Sequence, residues 1–241
     1  MRYPPKSLVP EYLDAPGQDP AEFEGLLEAV RRTNRWYGGR RLALRFLEPF
    51  AAAIAHRPLT ILDVATASAD IPAAIVRWAR ARGLGVRITA LDINPAILSA
   101  ARRTTTGLSE ILLLRGDAMA LPFPNRSVDL VICALALHHF SFDQAVAVLR
   151  EIDRVARGGF IVNDVLRSWG AYVGAIADTW LLSTNALARH DGPLSVRRSF
   201  TWPEFHDLVR EAGLNGVEVR RHRLQRAVLV RWPAPEAAGA G

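Results

Sequence analysis

At 241 residues, half of them hydrophobic, the chain can bury one sizeable core and is short for two full domains, so one decorated domain is expected. The formal net charge of +6 rests on 30 basic residues, but Lys6 is the only lysine and the arginines are scattered through nearly every segment. This reads as a solvated basic surface and argues against a nucleic-acid stripe. The sole cysteine, Cys133, excludes an internal disulfide, and the opening "MRYPPKSLVPEYLD" has no long apolar run, so a cytoplasmic chain without signal peptide or integral membrane segment is expected.

From Asp19 to His56 the pattern is helical. Phe23, Leu26, Leu27 and Val30 recur at i, i+3, i+4 and i+7, and Leu42, Phe46 and Phe50 continue the stripe beyond the Gly38-Gly39 break. Residues 1–58 are therefore expected to form a helical cap. Strands and helices then alternate: strand 60–66, helix 70–82, strand 86–93, helix 95–103, strands 110–117 and 128–137, helix 142–157 and strand 160–166. Ile71, Ala74, Ile75 and Trp78 share one helical face, as do Ala145, Leu149, Ile152 and Val155. The strands are apolar throughout, as parallel strands covered on both faces are.

After Leu166 a long apolar helix is predicted from Trp169 to Ala188, then a polar loop over 188–200 and a helix over 202–212. Two closing strands, 216–223 and 226–232, are close enough in sequence to pair antiparallel, and 234–241 reads as a mobile tail. The alternation predicts an α/β fold over 59–233, a doubly wound seven-stranded sheet, mostly parallel with an antiparallel last strand.

In such sheets ligands sit at the carboxyl ends of the strands, where strand order reverses. Acids mark those ends here: Asp63 in the first strand, Asp92 closing the second, Asp117 closing the third. Asp92 stands near the spacing at which an acid grips ribose hydroxyls, and a carboxylate suits that task because it offers only acceptors. Taken singly, each acid is equally well a helix cap.

The succession "LDVATASAD", "ALDINP", "RGDAMALPFPNRSVDLVICALALHHF" resembles the class I S-adenosylmethionine-dependent methyltransferases over roughly residues 59–166. Its last block is particularly similar to the ubiquinone/menaquinone-biosynthesis type of small-molecule methyltransferase. The resemblance implies a Rossmann-like fold and S-adenosylmethionine as cofactor. It places Asp63 and the backbone around Ala65 and Ala67 at the methionine end, Asp92 at the ribose, Asp117 with Ala118 at the adenine, and Leu135 near the methionine moiety, with Thr66 and Ile93 among the cofactor residues; apart from the resemblance, Tyr37 and Arg40, with Asn34 and Trp36, are expected to close over the cofactor.

The family's first turn carries three glycines, replaced here by Ala65, Ala67 and Ala69. Held at negative φ, a methyl at each position narrows the site without closing it, whereas left-handed alanine costs on the order of 1 kcal/mol. Retained cofactor binding, weakened at most, is the expectation.

His138 and His139 follow the fourth strand, where a general base for a hydroxyl acceptor belongs. Residues 167–200 resemble a substrate-covering insertion. Asp164, Arg167, Trp180 and His190 are the expected substrate residues, with Trp169 and Tyr172 lining an apolar cavity. The acceptor is expected to be an apolar small molecule methylated on a hydroxyl, phenolic, polyketide-like or quinone-type.

No metal-ligand spacing is seen and no metal is expected; a monomer or homodimer is. A second reading is a catalytically degenerate fold that binds RNA through its arginines. A nicotinamide dehydrogenase is disfavoured, because "ATASAD" is no phosphate-cradling turn and no lysine follows Lys6.

Overall fold

The computed structural model describes residues 2–15, 17–54 and 57–233; the segment 234–241, read from the sequence as a tail, lies outside the described residues. Two helices come first, α1 (Pro20–Trp36) and α2 (Gly39–Ala53). The alternating part follows as β1 (Leu59–Val64), α3 (Asp70–Arg80), β2 (Val86–Asp92), α4 (Pro95–Thr104), β3 (Ile111–Arg115), β4 (Val128–Ala134), a 3-10 turn (Leu137–His139), α5 (Phe142–Val155) and β5 (Ala156–Val165). It closes with α6 (Trp169–Leu182), α7 (Ala186–Arg198), α8 (Trp202–Glu211), β6 (Val217–His222) and β7 (Arg226–Arg231).

The seven strands form one sheet in the order β3-β2-β1-β4-β5-β7-β6. All run parallel except β7, the last strand, which is antiparallel as the sequence predicts and is inserted between β5 and β6, a position the sequence does not specify. Alternate residues of each strand feed opposite cores. Ile61, Ile88, Leu130 and Ile132 pack with Phe46, Phe50 and Ile75 of α2 and α3, while Leu62, Val131 and Val162 pack with Leu149, Ile152 and Phe205 of α5 and α8. Strand order reverses between β1 and β4, so a crevice opens at their carboxyl ends.

One predicted element is corrected. Of the stretch 188–200, expected as a polar loop, all but the last two residues belong to helix α7, and the apolar helix before it stops at Leu182. Asn185 caps α7 by accepting from the Ala188 amide at 2.8 Å, and Gly192 lets α7 press on α6, since a Cβ there would meet Thr179 Cγ2 at 2.5 Å. Polar residues of α7 such as Asp191 and Arg198 are buried with partners, so hydropathy concealed a packed helix.

The turn after β1 holds the other surprise. Ala65, Ala67 and Ala69 have φ of +54°, +49° and +55°, so all three adopt the left-handed conformation that glycine takes freely. The Thr66 amide donates to the Leu91 carbonyl of β2 at 2.9 Å and so fastens the turn from outside, while within it the Ala69 amide donates to the Thr66 carbonyl at 3.0 Å. Each Ala→Gly change here is expected to stabilise the protein by up to about 1 kcal/mol, the left-handed penalty less glycine's entropy in the unfolded chain. The triple variant should then melt several degrees higher, at about 2–4 °C per kcal/mol for a chain of this size; an unchanged or lowered midpoint would show that the turn relaxes without strain.

Candidate active site

A cavity of about 880 Å³ lies over the carboxyl ends of β1, β2 and β4. Its floor is the alanine turn, and α1, α6 and α7 roof it. Where α6 faces the cavity it presents Gly170, Ala171, Gly174 and Ala175, small residues that make the room, while its large side chains point away. Among the described residues no helix is long and apolar enough to cross a membrane.

At one end stand acids. Asp63 is buried, and its carboxylate accepts from Thr66 Oγ1 at 2.5 Å. Burial pushes its pKa up to about 7 against that bond, helped by the charges of Asp70 and Asp92. Asp92 accepts from the Ala67 amide at 3.1 Å through one oxygen and from the Asn94 amide at 3.0 Å through the other, thereby pinning the turn to β2. Burial raises its pKa too, against those donors.

The cap is tied to this end through two carboxylates. Asp70, at the start of α3, receives Asn34 Nδ2 at 3.1 Å and Arg40 Nε at 3.0 Å. Asp178 of α6 receives the Tyr37 hydroxyl at 2.7 Å and Arg32 at 3.0 Å. Burial and the Asp178 carboxylate push the Tyr37 phenol up to about 12. Arg226 of β7, pushed down to about 10 by burial, donates to the Tyr37 carbonyl at 2.7 Å and to Asn163 at 3.2 Å.

Across the cavity stand the histidines, on the 3-10 turn that follows β4. Asp164 at the end of β5 accepts both the His138 amide, at 2.9 Å, and its Nδ1, at 2.8 Å, which leaves Nε2 for the cavity. Burial opposes the ionised form of Asp164, yet the His138 and Val165 donors hold its pKa below the usual carboxylate range. His139 is bound the same way, Nδ1 to Asp14 at 2.8 Å. Burial disfavours its charged form, but the Glu11 carboxylate and the Asp14 bond outweigh that and raise it to about 9. The two rings lie 4.4 Å apart.

Glu11 and Asp14 arrive on the N-terminal segment, which α7 holds over the histidines. Asp191 accepts the amides of Tyr12 and Leu13 at 3.0 and 3.1 Å, and Arg198 donates to the carbonyls of Val9, His138 and His139. Sequence reading missed Glu11, Asp14, Asp178 and Arg198. No local signal marks them: the segment has no periodicity, and Asp14 is 125 residues from the histidine it binds.

The cavity gathers Tyr37, Asp63, Ala65, Thr66, Ala67, Asp92, Ile93, Leu135, His138 and His139 from among the expected residues. Leu135 takes φ +55°, and so turns the chain sharply out of β4. Others do not reach it. Asp117 closes a turn by accepting from the Met119 amide at 2.8 Å, and Ala118 is buried in the core on the α5 side. Arg40 stops at Asp70, and Asp164 stays beneath His138. Arg167 is locked to both oxygens of Glu204 at 2.8 Å and to the Ser199 and Pro4 carbonyls, so it braces α8 and the N-terminal segment. Trp180 is exposed beneath the Arg189 guanidinium, His190 turns outward against Asp191, and Trp169 and Tyr172 pack on each other.

Residues 69–162 match the methyltransferase-domain family. A demethylmenaquinone methyltransferase of Deinococcus radiodurans is 32% identical over 114 residues, which cover 46% of this chain and 45% of that protein. One from Thermus thermophilus is 31% identical over 112 residues, covering 46% and 48%. The match thus spans a little under half the length of these curated relatives. Among solved structures, the magnesium protoporphyrin IX methyltransferase of Synechocystis, crystallised with S-adenosylhomocysteine, aligns over 92% of this chain and 91% of its own at 15% identity and a TM-score of 0.57. At that identity the likeness is one of fold. These matches bear out the resemblance read from the sequence, to class I methyltransferases and in particular to the quinone-biosynthesis type, and support S-adenosylmethionine as the cofactor.

Proposed function

We propose that this chain, which carries a class I methyltransferase domain, transfers a methyl group from S-adenosylmethionine to an apolar, hydroxyl-bearing small molecule. The observation that carries this reading is one cavity, at the switch point of the sheet, with buried acids at one end and carboxylate-anchored imidazoles at the other.

The residues suit that cofactor. Asp63 is a buried carboxylate with a single side-chain donor, facing a cavity where a cationic group would lower its pKa again. Asp63, Thr66 and the turn backbone would hold the methionine end, and Asp92 with Ile93 the ribose. Asp117 and Ala118, outside the cavity wall, would need to approach for an adenine contact. When bound, the cofactor supplies an electrophilic methyl group on a positively charged sulfur.

The chain's own part is alignment and proton removal. The cavity walls exclude water and hold the acceptor against the methyl end, a contribution of roughly 7–11 kcal/mol when reacting atoms are held in line. In the tautomer that donates Nδ1–H to Asp164, His138 turns Nε2 to the acceptor side, where it takes the hydroxyl proton. His139, paired with Asp14 and Glu11, keeps that end of the cavity polar. Methylation at oxygen is the first reading. The demethylmenaquinone methyltransferases among the relatives favour a second, methylation at the ring carbon beside the hydroxyl, which the same proton loss makes nucleophilic.

Two steps test the function. Calorimetry with S-adenosylmethionine and its demethylated product comes first; stabilisation of about 2.7 kcal/mol is expected at 100 times Kd. Transfer of a carbon-13 methyl to phenols and naphthohydroquinones then separates O- from C-methylation by NMR. No binding at millimolar cofactor would overturn the proposal in favour of a degenerate fold, to be assayed with RNA.

Affinity for the cofactor should also depend on pH. Because the carboxyl of Asp63 titrates near 7 in the folded protein, a cationic ligand that needs the ionised form must expel a proton below that pH. Binding is therefore expected to tighten as pH rises toward 7, by at most about tenfold per unit for one proton, and to level off above. Asp63→Asn should bind more weakly and with a flat profile; an unaltered slope would assign the linkage to another group.

A further inference from the structure

We propose that Glu11, His138 and His139 form a site for one divalent transition-metal ion in the wall of the cavity. One carboxylate oxygen and two imidazole nitrogens, a ligand atom from each residue, lie within 4.8 Å of one another. His138 Nε2 is 3.7 Å from Glu11 Oε1, and His139 Nε2 is 3.9 Å from Oε2. Ligands around an ion bound at 2.0–2.2 Å stand about 3.0–3.5 Å apart, so the 3.7 and 3.9 Å pairs need to close by under an ångström and the widest pair, within 4.8 Å, by at most about 1.3–1.8 Å.

Three observations make this more than a polar cluster. Both imidazoles are oriented by a carboxylate on Nδ1, Asp164 for His138 and Asp14 for His139, which is how proteins fix a metal-binding histidine with Nε2 as the free donor. Glu11 is 3% exposed, and its Oε1 has no hydrogen-bond donor, a costly condition that a cation at this point would relieve. Arg198 Nε does come within 3.7 Å of that oxygen, but each of its nitrogens is spent on a carbonyl, those of His138, Val9 and His139. The carboxylates of Glu11, Asp14 and Asp164 thus surround the three donors, while the Arg198 guanidinium is engaged elsewhere.

Two imidazoles and one carboxylate suit manganese, iron, cobalt or zinc better than magnesium or calcium, which prefer oxygen ligands. With the ion bound the His138 Nε2 lone pair is occupied, so an acceptor oxygen at one of the remaining positions would release its proton to solvent, the ion standing in for the imidazole as the group that favours the anion. That last step rests on the methyl-transfer reading; the ion site itself does not. No metal-ligand spacing shows along the chain because one ligand comes from the N-terminal segment, far from the two histidines.

The test uses full-length protein dialysed free of metal and titrated with zinc by calorimetry and with cobalt by visible absorption. One ion per chain is expected, with cobalt bands of nitrogen and oxygen ligation. Glu11→Gln and His139→Asn should each weaken binding at least about tenfold, and Asp14→Asn by roughly 10- to 100-fold through the misoriented ring. His206→Ala, remote from the cluster, serves as the control and should change nothing. Cofactor binding is measured on the same metal-free protein, so that failure of the ion site and failure of the methyl-transfer reading are told apart. Absence of saturable one-to-one binding near 1 mM ion, or binding indifferent to Glu11→Gln and His139→Asn, would overturn the proposal and leave an ion-pair cluster that holds a proton only.

Discussion

Asp92→Ala is expected to lower affinity for S-adenosylmethionine at least about 100-fold, near 2.8 kcal/mol, while the sheet stays folded. Asp92 is at once the acceptor for ribose hydroxyls in the proposed complex and the clamp of the turn, since its two oxygens hold the Ala67 and Asn94 amides. Removing it frees both donors, each worth roughly 1.5–3 kcal/mol when the acceptor is charged. It also unties a turn that already carries three left-handed alanines. Asp92→Asn, which keeps one acceptor, should fall between the two. Calorimetry on variants whose circular dichroism matches the parent gives the result; wild-type affinity in Asp92→Ala would place the cofactor elsewhere.

His138→Ala is expected to reduce turnover by about 10²–10⁴ and to leave cofactor affinity within about twofold. Asp164→Asn should cost a similar factor by a different route. Its amide nitrogen can donate where the carboxylate only accepts, which invites the wrong tautomer at His138 and turns a proton toward the acceptor. Asp164 also accepts the amides of His138 and Val165, so melting midpoints must accompany the rates. Loss of turnover with intact cofactor binding supports positioning of the imidazole; equal loss of both would make Asp164 a structural residue only.

Much of the site was legible where chemistry and topology coincide along the chain. Asp63, Asp92 and the two histidines follow apolar strands, and in a doubly wound sheet the ends of neighbouring strands converge without further instruction. Residues inferred from chemistry alone fared differently. Arg167 and Trp180 have suitable groups, but helix phase directs Trp180 outward and Glu204 captures Arg167. Hydropathy also concealed α7, whose polar residues are buried in pairs.

The sequence by itself determined the sheet, its parallel character and its reactive edge, because hydrophobic periodicity and strand-end acids are local properties that packing then enforces. Only the tertiary structure decided that the alanine turn is left-handed, since Asp92 and Leu91 on a neighbouring strand hold it there. Only it, too, brought Glu11 and Asp14 over His138 and His139, because contacts made across more than a hundred residues depend on α7 and Arg198 holding the N-terminal segment, and spacing along the chain carries no trace of them.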